Sequence, residues 1–132
     1  MPNPKLTNPT LPIEGFENES VTTLTEGMGV VRGTAEDQCD IGAADDLVLG
    51  VVALSTETAT GLVAPLHIGH GGTCYVRSGA AFAVDALLTI DNAGRWVTAA
   101  TGEKVQAQAN GAAAAADELI AATRLDGLSE AP

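Results

Sequence analysis

Aromatic side chains are scarce in this 132-residue chain: Phe16, Tyr75, Phe82 and Trp96 are all it carries. Its hydrophobic content comes instead from Ala, Val, Leu and Gly, so the core must be built of small, mostly branched side chains. Such a core suits thin β-layers better than a large helical bundle. Cysteine is nearly absent too. Cys39 and Cys74 lie 35 residues apart, and without an export signal we expect free, part-buried thiols rather than a disulfide. No apolar run approaches the about 18 residues that a membrane helix needs, and no basic-then-apolar N-terminus ends in a small-residue cleavage site. Neither a membrane span nor a secretory leader is therefore expected. Basic residues are the remaining shortage. Six Lys and Arg against 17 Asp and Glu leave a formal net charge of −11, which opposes the clustered cations that nucleic acid and anionic membranes require. Both are excluded as expected partners.

What is present is unevenly arranged. Between Glu14 and Asp46, nine acids (Glu14, Glu17, Glu19, Glu26, Glu36, Asp37, Asp40, Asp45 and Asp46) face Arg32 alone. We read them as a solvated acidic face. Four of the six prolines stand at positions 2, 4, 9 and 12. Each lacks an N–H and biases its predecessor toward extended geometry, so the sequence predicts neither helix nor central strand in the first 20 residues. Residues 1–20 are read as an extended arm, residues 21–125 as a single β-rich domain, and residues 126–132 as a frayed tail. The arm differs from a solvated linker because Leu6, Leu11, Pro12, Ile13 and Phe16 punctuate it with apolar groups. We expect those five residues to be buried against a neighbouring subunit or another protein.

Beyond Val21 the texture changes to short apolar or alternating runs separated by Gly, Asp, Asn and Thr. Strands are predicted at 21–24, 29–32, 38–41, 47–54, 62–68, 73–80, 87–90, 95–99, 104–109 and 119–125. Spacing of this kind signals an all-β sandwich or barrel. The clearest unit is "LLTIDNAGRWVTA" (87–99), read as a hairpin turning through Asp91, Asn92 and Gly94. The alanines after Asn110 have high helix propensity, but the apolar positions that follow fit one helix face poorly. We expect at most a short helical turn or compact loop at 112–118. The fold class is mainly β: a small sandwich or barrel with an extended Pro-rich N-terminal arm and at most one short helix.

Chemistry is suggested most strongly by "HIGHGGTC" (67–74). His67, His70 and Cys74 are three possible zinc ligands, the number a catalytic zinc site commonly uses. Paired zinc histidines close in sequence usually sit at i and i+4 on a helix, however, and these lie at i and i+3 among glycines after Pro65. We read a strand-to-strand turn, with the glycines serving a backbone that needs positive φ. A cysteine nucleophile needs an electropositive setting and a held base. Cys74 opens an alternating strand, and Cys39 sits among Glu36, Asp37 and Asp40. No phosphate-binding glycine loop is present, and "RSGAA" (77–81) lacks the first glycine of a nucleophile elbow. The pairs Asp45–Asp46 and Asp117–Glu118 read as loop acids. We expect no catalytic residue, no cofactor and no metal, hence no enzyme.

Three stretches together resemble the small capsid cement, or decoration, proteins of tailed bacteriophages: "VLGVVAL" (48–54), "TCYVRSGAAFAV" (73–84) and residues 85–125, most specifically Asp85 to Thr98. Ala83–Val84 stand where a glycine often precedes the aspartate. The resemblance implies a β-rich virion protein, often a homotrimer, on the outer surface of the capsid. Its partners would be the major capsid protein and further copies of itself, and it would stabilise the expanded head against internal DNA pressure. The alternative expectation is a β-rich adhesion or head-fibre module that binds a host-surface ligand. Metal analysis of the purified protein tests the turn reading of "HIGHGGTC": we expect no stoichiometric zinc. Zinc at one per chain, lost in His70→Ala, would restore the metal-site reading.

Overall fold

The computed structural model describes residues 16–20, 23–36, 38–53, 62–63, 65–66 and 71–132, with backbone alone for 62–63 and 65–66. Eleven short strands make two sheets. The first holds β1 (Phe16–Asn18), β2 (Gly29–Arg32), β3 (Gln38–Ile41), β4 (Gly50–Val52), β5 (Leu62–Val63) and β6 (Pro65–Leu66), in the order β5-β1-β3-β2-β4-β6. β1 runs parallel to β3, and the other pairs are antiparallel. Its two edges are consecutive in sequence: Val63 pairs with Phe16, and Pro65 pairs with Val52. One intervening residue spans only about 7.6 Å between Cα atoms, so the sheet has to curl until its edges meet.

The second sheet holds β7 (Thr73–Arg77), β8 (Leu87–Ile90), β9 (Trp96–Thr98), β10 (Ala107–Ala109) and β11 (Leu119–Arg124), ordered β7-β11-β10-β8-β9 and antiparallel throughout. It also curls on itself. Just past β7, Ser78 bridges in parallel to Trp96, and the Gly79 N–H donates to the Trp96 carbonyl at 2.7 Å. The predicted hairpin is present as β8–β9. Asp91 closes its turn by exchanging backbone bonds with Arg95 and Gly94, while its Oδ1 accepts from the N–H groups of Ala93 and Arg95.

Small side chains fill both interiors, as the composition requires. One cluster gathers Trp96, Leu88, Ile90, Val76 and Val51 with Ala107, Ala109, Ala113 and Ala122; the other gathers Phe16, Leu24, Met28, Val30, Cys39 and Val52. Val51 and Val52 are neighbours on β4 and face opposite clusters, so this strand carries both cores.

Two polar contacts lock the sheets together. The Gly27 carbonyl accepts from the buried Trp96 indole at 3.1 Å and from the Arg77 N–H at 3.0 Å. Gln106, buried on the approach to β10, donates through Nε2 to the Asp46 carbonyl and accepts through Oε1 from the Val48 N–H. Each side-chain atom of this amide thus finds a partner in the segment leading to β4. Leaving one unpaired would cost about 1–3 kcal/mol.

Several expectations need correction. Residues 16–18 are not arm but a strand inside the first sheet: the last proline of the arm is Pro12, so β1 keeps its N–H donors. The strand predicted at 21–24 is absent over residues 23–24, and that predicted at 47–54 is shorter, because the Gln106 amide holds 46–48 in an irregular path. The 62–68 run divides around Pro65 into β5 and β6. The alanine run, expected as a short helical turn or compact loop, is the loop, and no helix occurs among the described residues. In the alanine run, Ala113 instead exchanges both backbone bonds with Phe82, and buried Ser78 accepts the Glu118 N–H and donates to the Ala115 carbonyl. An exposed helix this short has little intrinsic stability to set against those contacts. The C-terminal residues are docked rather than frayed: the Val105 N–H donates to Ser129, the Ala131 N–H donates to Glu103, and Ala131 is buried.

Gly27 is tested by comparison with a second glycine. Both Gly27 (φ +88°) and Gly102 (φ +86°) are left-handed, but a Cβ at Gly102 meets open space, whereas one at Gly27 would lie 2.6 Å from the Arg77 nitrogen. Gly102→Ala is expected to lower unfolding stability by about 1–2 kcal/mol, the cost of the left-handed backbone. Gly27→Ala should lose clearly more, about 3 kcal/mol or above, since overpacking adds to the same strain. Urea denaturation of both variants gives the difference.

Candidate functional site

β1 directly follows residues 1–15 in sequence and is firmly held. Phe16 is 3% exposed and belongs to the chain's own core. Of the five residues expected to make arm contacts, it is therefore withdrawn from that role. Leu6, Leu11, Pro12 and Ile13 lie outside the described residues. Alternation along β1 turns Phe16 and Asn18 inward and Glu17 outward. The Asn18 Oδ1 accepts from both the N–H and the hydroxyl of Ser20, at 2.9 and 2.6 Å. Glu19 reaches across to Thr34, whose N–H and Oγ1 donate to its two carboxylate oxygens at 3.0 and 2.7 Å, and its own N–H donates to the Cys39 carbonyl.

This strand sits on an acidic surface. Gln38 is the cross-strand partner of Glu17, and Asp40 that of Val31, so Glu17, Gln38, Asp40 and Val31 share the outer side of β1, β3 and β2. The sequence marked the charge but missed Asn18 and Glu19 as the pins. Their only signal was a polar "NES" directly after an apolar Phe16, a pattern equally common in solvated turns.

The residues suspected of chemistry are not assembled into a centre. His67 and His70 lie outside the described residues, and among the described residues no three His, Cys, Asp or Glu side chains converge on a metal position. Both cysteines are free and buried, one in each core cluster. Burial pushes the Cys39 thiol up to about 11, reinforced by the charges of Asp40 and Glu19. Burial also raises the Cys74 thiol, against the opposing charge of Arg124. The acid pairs are fasteners. Asp46 accepts the Ala43 N–H, Asp117 lies 2.8 Å from Arg95 Nε, and Glu118 accepts the Ala115 N–H. What the geometry offers is a two-sheet platform with an acidic flank over β1, β3 and β2.

The thiols give a pH-dependent test. In the unfolded chain Cys39 ionises near 9.0, and in the folded chain near 11. Between those values the unfolded state has lost the proton and the native state has not. Stability is thus complete below pH 9.0 and falls as pH rises toward 11, by up to about 1.4 kcal/mol per pH unit for this thiol. Unfolding midpoints across pH 8–11 should show the fall, and Cys39→Ala should flatten it. A disulfide reagent at pH 8 should leave the native protein unmodified yet titrate both thiols after unfolding.

In sequence, neither a protein-family model nor a curated protein matches this chain. In structure, the chain is similar to the N base of the head fibre gp8.5 of bacteriophage phi29, with a TM-score of 0.68 over 92% of this chain and 99% of that one, at 14% identity. At that identity the likeness is one of fold. Over nearly all its length, the chain has the small, mainly β architecture of that base domain.

Proposed function

We propose that this chain is a structural protein of a tailed-phage virion that seats on the outer surface of the head shell and stabilises it. The observation that carries the reading is the fold shared, end to end, with a domain of a phage head fibre. The site supports it in kind. The cysteines are buried and protonated, Asp46 and Glu118 serve turns, and a two-sheet platform suits a protein whose work is binding.

A protein of this sort acts by mass action. It stabilises whichever state of the shell it binds better, by an amount set by the difference in affinity. Many copies multiply a modest gain at each position. Leu6, Leu11 and Ile13 would serve as anchors, each worth about 1.5–3 kcal/mol when fully buried, less the cost of ordering the arm. Strand addition to an exposed edge of the shell protein is the binding mode such a segment favours, with alternate side chains filling pockets. Assembly as a homotrimer belongs to the same proposal. The alternative is a head-fibre module that binds a host-surface ligand; it draws on the same likeness in fold.

Removal of residues 2–15 tests the arm while leaving Phe16 in its core. The shortened protein is expected to remain folded, with an unchanged unfolding midpoint, and to lose binding to heads that lack the protein, measured by co-sedimentation. Undiminished binding would overturn the role of the arm. Binding of the full chain to host cells, but not to heads, would favour the alternative.

A further inference from the structure

Leu128 is 83% exposed and Leu47 54% exposed, and the fold holds both where they are. Leu47 stands between the two backbone groups that the Gln106 amide grips, the Asp46 carbonyl and the Val48 N–H. With both flanks fastened to a buried side chain, Leu47 cannot turn inward. Leu128 is presented by a second built turn. Its N–H donates to Asp126 Oδ1 at 2.9 Å, Gly127 before it has φ +76°, and the residues after it are docked along 103–105. The two turns abut: a Cβ on Gly127 would lie 2.8 Å from Leu47 Cδ2.

One exposed leucine is ordinary; two on fastened turns that abut at Gly127 are less so. Their surroundings are mainly acidic, with Lys104 as the cation among them. Asp45, Asp46 and Glu130 are exposed beside them, and Lys104, the cross-bridge partner of Glu130, directs its ammonium to the Asp45 carbonyl at 3.4 Å. Apolar centre and polar rim is the arrangement of a protein interface, and the sign of a rim selects its partner. A second copy presenting the same surface would bring acids against acids. The complement is a segment with an aliphatic side chain at its centre and cations around it.

We propose that Leu47 and Leu128 form a docking surface for a protein segment in which an aliphatic residue is flanked by Lys or Arg. It deepens the reading as a head-binding protein, since the shell would supply that segment, but one arm of the test stands apart from that reading. In the first arm, the full chain is titrated with a synthetic twelve-residue peptide of alternating Lys and Leu, with a Glu–Leu peptide as control. The Lys–Leu peptide is expected to bind more tightly, more weakly at high salt, and about tenfold or more weakly to Leu128→Ser. Asp45→Asn, which suits the left-handed backbone there (φ +71°), should weaken binding a few-fold and reduce the salt effect. Tyr75→Ser, at an exposed position on β7, should change nothing. No binding, or equal binding by Leu128→Ser, overturns the proposal. So does peptide binding that appears only once residues 2–15 are removed, since the occupant is then the chain's own Lys5–Leu6 segment.

In the second arm, the same variants are tested on heads lacking the protein. Reduced binding by Leu128→Ser supports the shell as the source of the segment. Failure of the full chain to bind heads counts against the reading of function while leaving the peptide result to decide the surface.

Discussion

The carbonyl of Gly27 is where the two sheets are made into one object. It receives the Trp96 indole from the second sheet's core and the Arg77 N–H from β7, while the Gly27 N–H donates to Val52 of the first sheet. A residue with a side chain cannot stand there, because the space a Cβ needs is taken by the backbone of Val76 and Arg77. Trp96 is in turn overlaid by the guanidinium of Arg124, 5.9 Å from the ring centroid, whose Nε donates to the Gln106 carbonyl. A short series of contacts therefore runs from Gly27 through Trp96 and Arg124 to Gln106. In a core poor in aromatics, the one tryptophan meets these polar groups both through its indole N–H and through its ring face.

Much of the β domain could be read from the chain itself. Where turn chemistry and alternation coincided, as in Leu87 to Thr98, the hairpin was read to within a residue. Where a segment is shaped by distant partners, local pattern misled. The alanine run, despite its helix propensity, is held as a loop by Phe82 and Ser78, both about 35 residues away in sequence. Residues 127–131 looked like a tail because their bonds are to the backbone of 103–105, which no side chain announces. The arm was traced at least three residues too far, over Phe16–Asn18, because Phe16 is apolar in the same way as Leu11 and Ile13, and only tertiary pairing shows it to be a core residue.

Polar and charged groups divide the same way. That the acids would be surface groups followed from their number. That Glu19 would tie β1 to Thr34, or Gln106 clamp the approach to β4, did not, since such roles depend on a register that sequence leaves open. The buried thiols show the converse: of the acidic neighbours of Cys39 visible in "EDQCD", Asp40 acts after burial, and with the distant Glu19, to keep it protonated.

The Leu62–Leu66 run has a consequence for how copies of this protein behave in a crowd. By pairing with β1 on one side of the first sheet and β4 on the other, it leaves that sheet without the pair of open margins on which strands from other molecules nucleate. The second sheet is drawn closed in the same spirit by Ser78 and Trp96. With both sheets drawn toward closure, the described residues offer few open strand margins for pairing between copies.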